Sequence, residues 1–298
     1  LKDKLPQCMI THPTAMPVDV APIEELEDFF NHMKKNISTD KEFLEFTRGA
    51  HYSDGRIDLC KQVVGEPWIQ QLMDSIKDNN YVQHFLLGNN IIDYTGAQAI
   101  ANFISSEHVP EIETWYIAGN RIDEKGIELI ANTLKTDTDA KSLWLKRNPL
   151  NPLGIKHIAD MLKVNTTLET LDLLNTNMGD EGTKYIFEAL KVNTGLKRLY
   201  LGANNITAIG AKYIADYFYE MAARNKIGLQ SLWLDMNRLS DDGVILVADA
   251  LKEYKHMERL ALGSNRMTAV GAKVLFKVMR YHKNLIMLDI GMYKATGD

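Results

Sequence analysis

Cysteine is almost missing from this sequence, and so is most of what marks a specialised chemistry. Cys8 and Cys60 are the only cysteines in 298 residues, which excludes a disulfide framework and fits a reducing compartment. Proline is sparse too. Of eight, four (Pro6, Pro13, Pro17 and Pro22) fall at the N-terminal end, and the rest of the chain is open to regular structure. No apolar run nears the ~20 residues that a membrane span requires, and no secretory apolar segment is present. A cytoplasmic location is expected. An excess of positive charge is also lacking: the net charge is -5 and the pI about 5.9. Nucleic-acid binders usually carry the opposite balance, because they displace counterions from phosphates. Catalytic signatures are absent as well. The eight histidines are scattered, with no H-E-x-x-H pair, no phosphate loop and no dinucleotide fingerprint. Cys60 has no histidine at motif spacing. The chain reads as a non-enzyme that uses neither cofactor nor metal.

What is present is a repeat. Leu168-x-x-Leu171-x-Leu173 recurs one period later as Leu196, Leu199 and Leu201, and one equal period earlier as Ala140, Leu143 and Leu145. Further copies are Val82/Phe85/Leu87, Ile112/Trp115/Ile117, Leu229/Leu232/Leu234, Met257/Leu260/Leu262 and Leu285/Leu288/Ile290, with a degenerate first copy at Ile57 and Leu59. An asparagine follows at Asn90, Asn120, Asn148, Asn204, Asn237 and Asn265; Gln62, Thr176 and Tyr293 take that slot elsewhere. Each unit then carries a glycine (Gly96, Gly126, Gly154, Gly182, Gly210, Gly243, Gly271) and apolar residues at helical spacing. Asp93, Asp123, Asn151, Thr207, Ser240 and Thr268 precede the helices as N-caps, with Gly179 in the fourth copy. The asparagine amide is expected to satisfy backbone groups in the turn after the strand. The glycine is expected to let the helix begin close to the strand layer.

Each unit is therefore one short strand, a turn and one helix, and neither element buries its apolar side alone. Stacked units give an α/β solenoid of about eight to nine repeats, with a parallel sheet inside and helices outside. The pattern resembles the ribonuclease-inhibitor-like class of leucine-rich repeats, over roughly residues 56–293. Phe46-Thr-Arg-Gly and Asp54-Gly-Arg-Ile-Asp-Leu-Cys-Lys-Gln also resemble the opening segment of bacterial proteins of this class. Some of those are effectors injected into host cells, which would place the protein in a host cytoplasm.

Residues 1–21 lack periodicity and are expected to be extended. Residues 22–55 are expected to cap the solenoid, with an amphipathic helix from Pro22 and an edge strand near Glu42–Thr47. Residues 56–298 form the solenoid. Its last unit ends after a strand and a polar tail, which either closes the array or marks a piece of a longer, structural chain. About five extra residues near Tyr217 make the fifth helix longer or form an outer loop.

Function is legible only at positions the repeat leaves free. Strand side chains alternate, so the residue between the second and third apolar positions faces out of the inner sheet. That row reads Asp58, Leu86, Tyr116, Trp144, Asp172, Tyr200, Trp233, Ala261 and Asp289. Tyr116 to Trp233 should span about 20 Å. The next outward row, from Cys60 and Gly88 through Lys146 and Asp235, is mostly small and leaves room beside the aromatics. Arg198 and Arg147 lie close by. Exposed tryptophan, tyrosine and arginine dominate binding hot spots, although neighbouring aromatics can also stack merely to stiffen a sheet. Trp115 falls in a core slot. The sequence thus predicts a monomeric protein–protein interaction module that contacts neither nucleic acid nor membrane. Its partner face would comprise Tyr116, Trp144, Lys146, Arg147, Asp172, Arg198, Tyr200, Trp233 and Asp235. The repeat class also holds a GTPase-activating protein of nuclear transport and tropomodulin-like capping proteins, so regulation of a small GTPase and actin binding are alternatives.

Overall fold

The computed structural model describes residues 18–107 and 109–291. The first described elements are helix α1 (Ile23–Lys34) and an antiparallel hairpin, β1 (Phe43–Glu45) and β2 (Ala50–Tyr52). From there one strand and one helix alternate: β3 (Arg56–Asp58), α2 (Gly65–Ile76), β4 (His84–Leu86), α3 (Tyr94–Ile104), β5 (Thr114–Tyr116), α4 (Glu124–Leu134) and β6 (Ser142–Trp144). The series goes on through α5 (Asn151–Leu162), β7 (Thr170–Asp172), α6 (Gly179–Leu190), β8 (Arg198–Tyr200), α7 (Ala208–Ala223) and β9 (Ser231–Trp233). It ends with α8 (Ser240–Leu251), β10 (Arg259–Ala261), α9 (Ala269–Met279) and β11 (Met287–Asp289). All strands among the described residues join one open 11-stranded sheet in sequence order, parallel from β3 onward. This is a leucine-rich-repeat solenoid. Strands lie about 4.8 Å apart and packed helices about 8–10 Å, so the helix layer is the longer arc and the sheet the concave one.

The leucine slots fill one continuous core. Leu143, Leu171, Leu199, Leu232 and Leu260 stand in register on neighbouring strands and are all buried. Trp115 is buried in the same row and packs against Phe85 and Phe103, as its core slot requires.

The asparagines form a hydrogen-bonded ladder. Asn204 donates through Nδ2 to the Leu173 carbonyl of the preceding unit at 2.7 Å, and its Oδ1 accepts from Thr176 N at 2.9 Å. Asn90, Asn120, Asn148, Asn237 and Asn265 donate to carbonyls of the preceding unit in the same way. Thr176 fills its slot with a hydroxyl that donates to the Leu173 carbonyl.

Helix starts come in two kinds, and the sequence distinguishes only one. Asp93, Asp123, Thr207 and Thr268 are extended and accept N–H bonds of the first turn, as N-caps do. Asn151 and Ser240 do not cap with their side chains, which corrects the sequence reading. They adopt left-handed backbones at φ 56° and 55°, as does Gly179 at 58°. Each donates its N–H to the carbonyl in the asparagine slot of the next unit. The backbone makes that junction, so the side chain is not in capping position. Two of these uncapped helices instead lend an acid to the head of the next one: Asp180 on α6 accepts from Thr207 N at 2.8 Å and Gly210 N at 2.9 Å at the head of α7. Asp241 on α8 does the same for Thr268 and Gly271. The repeated glycine also differs from expectation. A Cβ on Gly154 would meet Ile127 Cγ2 at 2.9 Å and the Glu124 Cα at 3.2 Å, so it admits the neighbouring helix rather than the strand layer.

At the N-terminal end α1 buries Leu26, Phe29, Phe30 and Met33 and packs on α2, while β2 pairs with β3. Residues 1–17 of the segment read as extended lie outside the described residues. Just after them, Ala21 donates to the Val63 carbonyl and accepts from the Trp68 indole. The polar tail after Gly291, with Tyr293, is also outside the described residues. The extra residues of the fifth unit make a longer helix. α7 has 16 residues, and the buried hydroxyls of Tyr217 and Tyr254 hold the return by accepting from Leu229 N and Gly228 N.

Candidate partner-binding face

The strand register brings Tyr116, Trp144, Asp172, Tyr200 and Trp233 into one row on β5 to β9. Their side chains leave the sheet opposite the leucines, because alternate residues face opposite sides. The four rings are half-buried and touch in series. Tyr116 and Trp144 have centroids 6.1 Å apart, Trp144 and Tyr200 5.6 Å, and Tyr200 and Trp233 4.1 Å, the last pair stacked at 15°. Trp144 and Tyr200 belong to strands on either side of β7. Separated by two strand spacings, about 10 Å, they meet only by leaning across β7.

Asp172 sits in the middle of that row, and the expectation that it faces solvent is corrected. It is 3% exposed. One carboxylate oxygen accepts from Leu174 N at 2.9 Å. Burial pushes its carboxyl above the usual range, while the Leu174 N–H and the charges of Lys146 and Arg147 pull it down. Burial also raises Tyr200, and the Asp172 charge adds to that. The spacing predicts which face Asp172 takes but not that two large flanking rings converge over it.

The small outward slots are not vacant either. A Cβ on Gly88 would lie 2.6 Å from Cε1 of Tyr116, so that ring leans over the glycine. On Gly202 it would lie 3.2 Å from Leu174 Cδ1. The small residues accommodate their neighbours on the sheet, and the room predicted beside the aromatics is largely filled.

The charged candidates divide into tied and free. Arg198 donates through Nε to Thr170 Oγ1 at 2.7 Å and pairs with Glu169 at 3.4 Å. It closes a ladder with Glu169–Lys197 and Glu113–Lys141, both at 2.6 Å, along the edge where the strands begin. The partners of each rung stand one repeat apart in sequence, a signal that the register carries and the motif search passes over. Lys146 places its ammonium 5.4 Å from the Tyr116 ring centre. Arg147 is exposed in a left-handed turn at φ 58°. Asp235 is half-buried, and burial raises its carboxyl, with Asp289 adding like charge. The face therefore offers cations beside Tyr116 and Trp144, and an acid beyond Trp233. At its N-terminal edge, burial and Asp58 hold the Cys60 thiol up at about 11, so it stays protonated at neutral pH. Among the described residues no three histidine, cysteine or acidic side chains gather as a metal site, and no helix is long and apolar enough to cross a membrane.

A leucine-rich-repeat family model matches residues 164–187, 192–215 and 255–276, each a strand with much of its helix. Among solved structures, actin-binding site 2 of leiomodin-1 is 16% identical, with 55% of this chain and 79% of that chain covered, at a TM-score of 0.36. The C-terminal domain of tropomodulin from Caenorhabditis elegans is 15% identical, with 52% and 92% covered, at a TM-score of 0.42. No curated protein sequence matches the chain.

Proposed function

We propose that the chain is a protein-interaction module that holds a folded partner on the concave sheet, across Tyr116, Trp144, Tyr200 and Trp233. The observation that carries this reading is the unbroken series of half-buried rings on a sheet face that no other described element covers. Aromatic side chains held by their neighbours lose little entropy on binding, which is why they anchor interfaces. A standard contact of about 800 Å² per partner would take in the stripe and, along its strand-exit side, Lys146 and Arg147 after β6 and Asp235 after β9. The partner would present an apolar ridge flanked by an acid near β6 and a base near β9, with the charges setting orientation more than affinity.

The equal repeat step kept by most units, as from Asn120 to Asn148, Thr176 and Asn204, with a full helix in each, supports the ribonuclease-inhibitor-like subclass. The effector reading draws on residues 46–49 and 54–62 alone, and the actin and GTPase alternatives on the repeat class alone. No side chain on the described face favours one of them.

The test is affinity capture by the full chain, compared with Trp144→Ala plus Trp233→Ala, each checked for native circular dichroism. A partner retained by the parent and lost by the double variant supports the site. Equal capture by a folded double variant refutes it.

A further inference from the structure

Outside the concave face, one pair of side chains stands out. His32 on α1 and His51 on β2 meet ring to ring, Nε2 to Nδ1, at 2.9 Å. His51 is 1% exposed. Its other face lies flat on Tyr81, in the segment before β4, at 4.8 Å between centroids and 20° between planes. Phe46, from the turn of the hairpin, covers His32 at 5.0 Å. The two imidazoles thus join three pieces of chain: the first helix, the hairpin and the first strand–helix unit. The junction is also held by the pairing of β2 with β3, the buried apolar face of α1 on α2, an Arg48–Glu25 ion pair at 2.6 Å and amide bonds of Asn36 to Asp78 and Asn80.

A hydrogen bond between two ring nitrogens needs one of them bare. With both rings neutral, or with one proton added, a single N–H bridges the gap. With both rings protonated, each nitrogen carries a hydrogen and each ring a positive charge, at a separation that water does not screen.

We propose that the His32–His51 pair is an acid-operated latch that holds α1 and the β1–β2 hairpin on the first repeat and releases them when both rings are protonated. The surrounding groups largely favour the neutral pair. Burial favours the neutral form of both rings, and Lys35, just past the end of α1, adds positive charge beside His32. Tyr81 presents an uncharged ring. Asp54 in the β2–β3 turn opposes them, favouring the charged His51, but burial outweighs it and holds that ring at about 4.

The sign follows from linkage. A histidine held below its ordinary value of about 6.5 adds stability that is complete above that value. It is lost as the pH falls toward the folded value, because the open form binds the proton more readily. For His51 alone, opening should become about 30-fold more favourable between pH 7.5 and pH 5. Release would uncover the β3 edge and the apolar face of α2 against which α1 packs.

The test is amide hydrogen exchange of the full chain at pH 7.5 and pH 5, corrected for intrinsic rates. We expect protection of α1 and the hairpin to fall by about 30-fold at pH 5, while β7 and β8 keep theirs. His51→Gln retains a hydrogen-bonding partner for His32 but does not titrate, and should reduce the acid response to a few-fold. If that variant fails to fold, His32→Gln takes its place. Unchanged α1 protection in the parent at pH 5 would overturn the latch. So would a variant whose acid response equals the parent's.

Discussion

Replacing Asn204 with alanine removes one rung of the ladder and should cost about 3–4 kcal/mol. The magnitude comes from counting which groups lose their last partner. Asn204 is fully buried. Its Nδ2 donates to the carbonyls of Leu173, Leu201 and Gly202. All three keep another donor, respectively Thr176 Oγ1, Asn237 Nδ2 and Asn175 N. Its Oδ1 accepts from Thr176 N and Met178 N, and for those two N–H groups the described residues supply no alternative. Two buried donors without acceptors, at about 1–3 kcal/mol each, set the figure. Asn204→Asp sharpens the test. A carboxylate would keep the acceptor but turn its second oxygen toward three carbonyls, so its folded pKa should rise above the usual 3.9 or so. The stability it retains is then present below pH 4 and lost as the pH rises through the folded value. Urea denaturation followed by circular dichroism and by tryptophan fluorescence gives both numbers, provided the two probes coincide, because repeat arrays can unfold in parts. A loss below about 1 kcal/mol for Asn204→Ala would show that water or backbone relaxation satisfies the turn, and would refute the accounting.

Two further outcomes follow from the same geometry. Asp172→Asn keeps an oxygen for Leu174 N without a buried charge. The parent's raised carboxyl contributes fully only at low pH, so the variant should match the parent near pH 3 and exceed its stability at pH 7 in thermal melts; a variant less stable at pH 7 would mean that the charge itself is needed on this face. Asp180→Ala removes the acceptor that α6 lends to the head of α7 and should cost about 1–2 kcal/mol by urea denaturation, whereas loss of a purely exposed aspartate would cost almost nothing.

The repeat is legible because its rules are local. Leucine, asparagine and glycine positions keep one register, and core, ladder and helix follow from the alternation of strand side chains and the helical period. Asn151, Ser240 and Asp180 show where that stops. Whether a residue before a helix caps it depends on its backbone angle. For Ser240 that angle is set by the carbonyl of Asn265, a whole unit further along the chain. Asn165 lies outside the repeated asparagine slot, yet it is buried and bonds to the Leu134 carbonyl, as Asn193 does to Leu162, so the chain holds a second, shorter ladder. On the candidate face the sequence predicts which residues share a row. It does not predict that Trp144 and Tyr200 lean toward each other over Asp172, since that depends on rotamers chosen among large neighbours. His32 and His51 carry no motif at all, because their contact arises from tertiary packing of the first helix on the hairpin.

The ring contacts of the inner face also bear on how the arch deforms. At 4.1 Å between centroids, Tyr200 and Trp233 have no slack left in the direction of closing, and shorter separations meet steep repulsion. Opening only exchanges stacking, about 0.5–1.5 kcal/mol per aromatic pair, for contact with something else. Around β8 and β9 the arch should therefore resist tightening more than spreading, so a partner held there, as proposed, would be accommodated at modest cost if larger than the resting curvature and would meet a face that does not follow it inward if smaller.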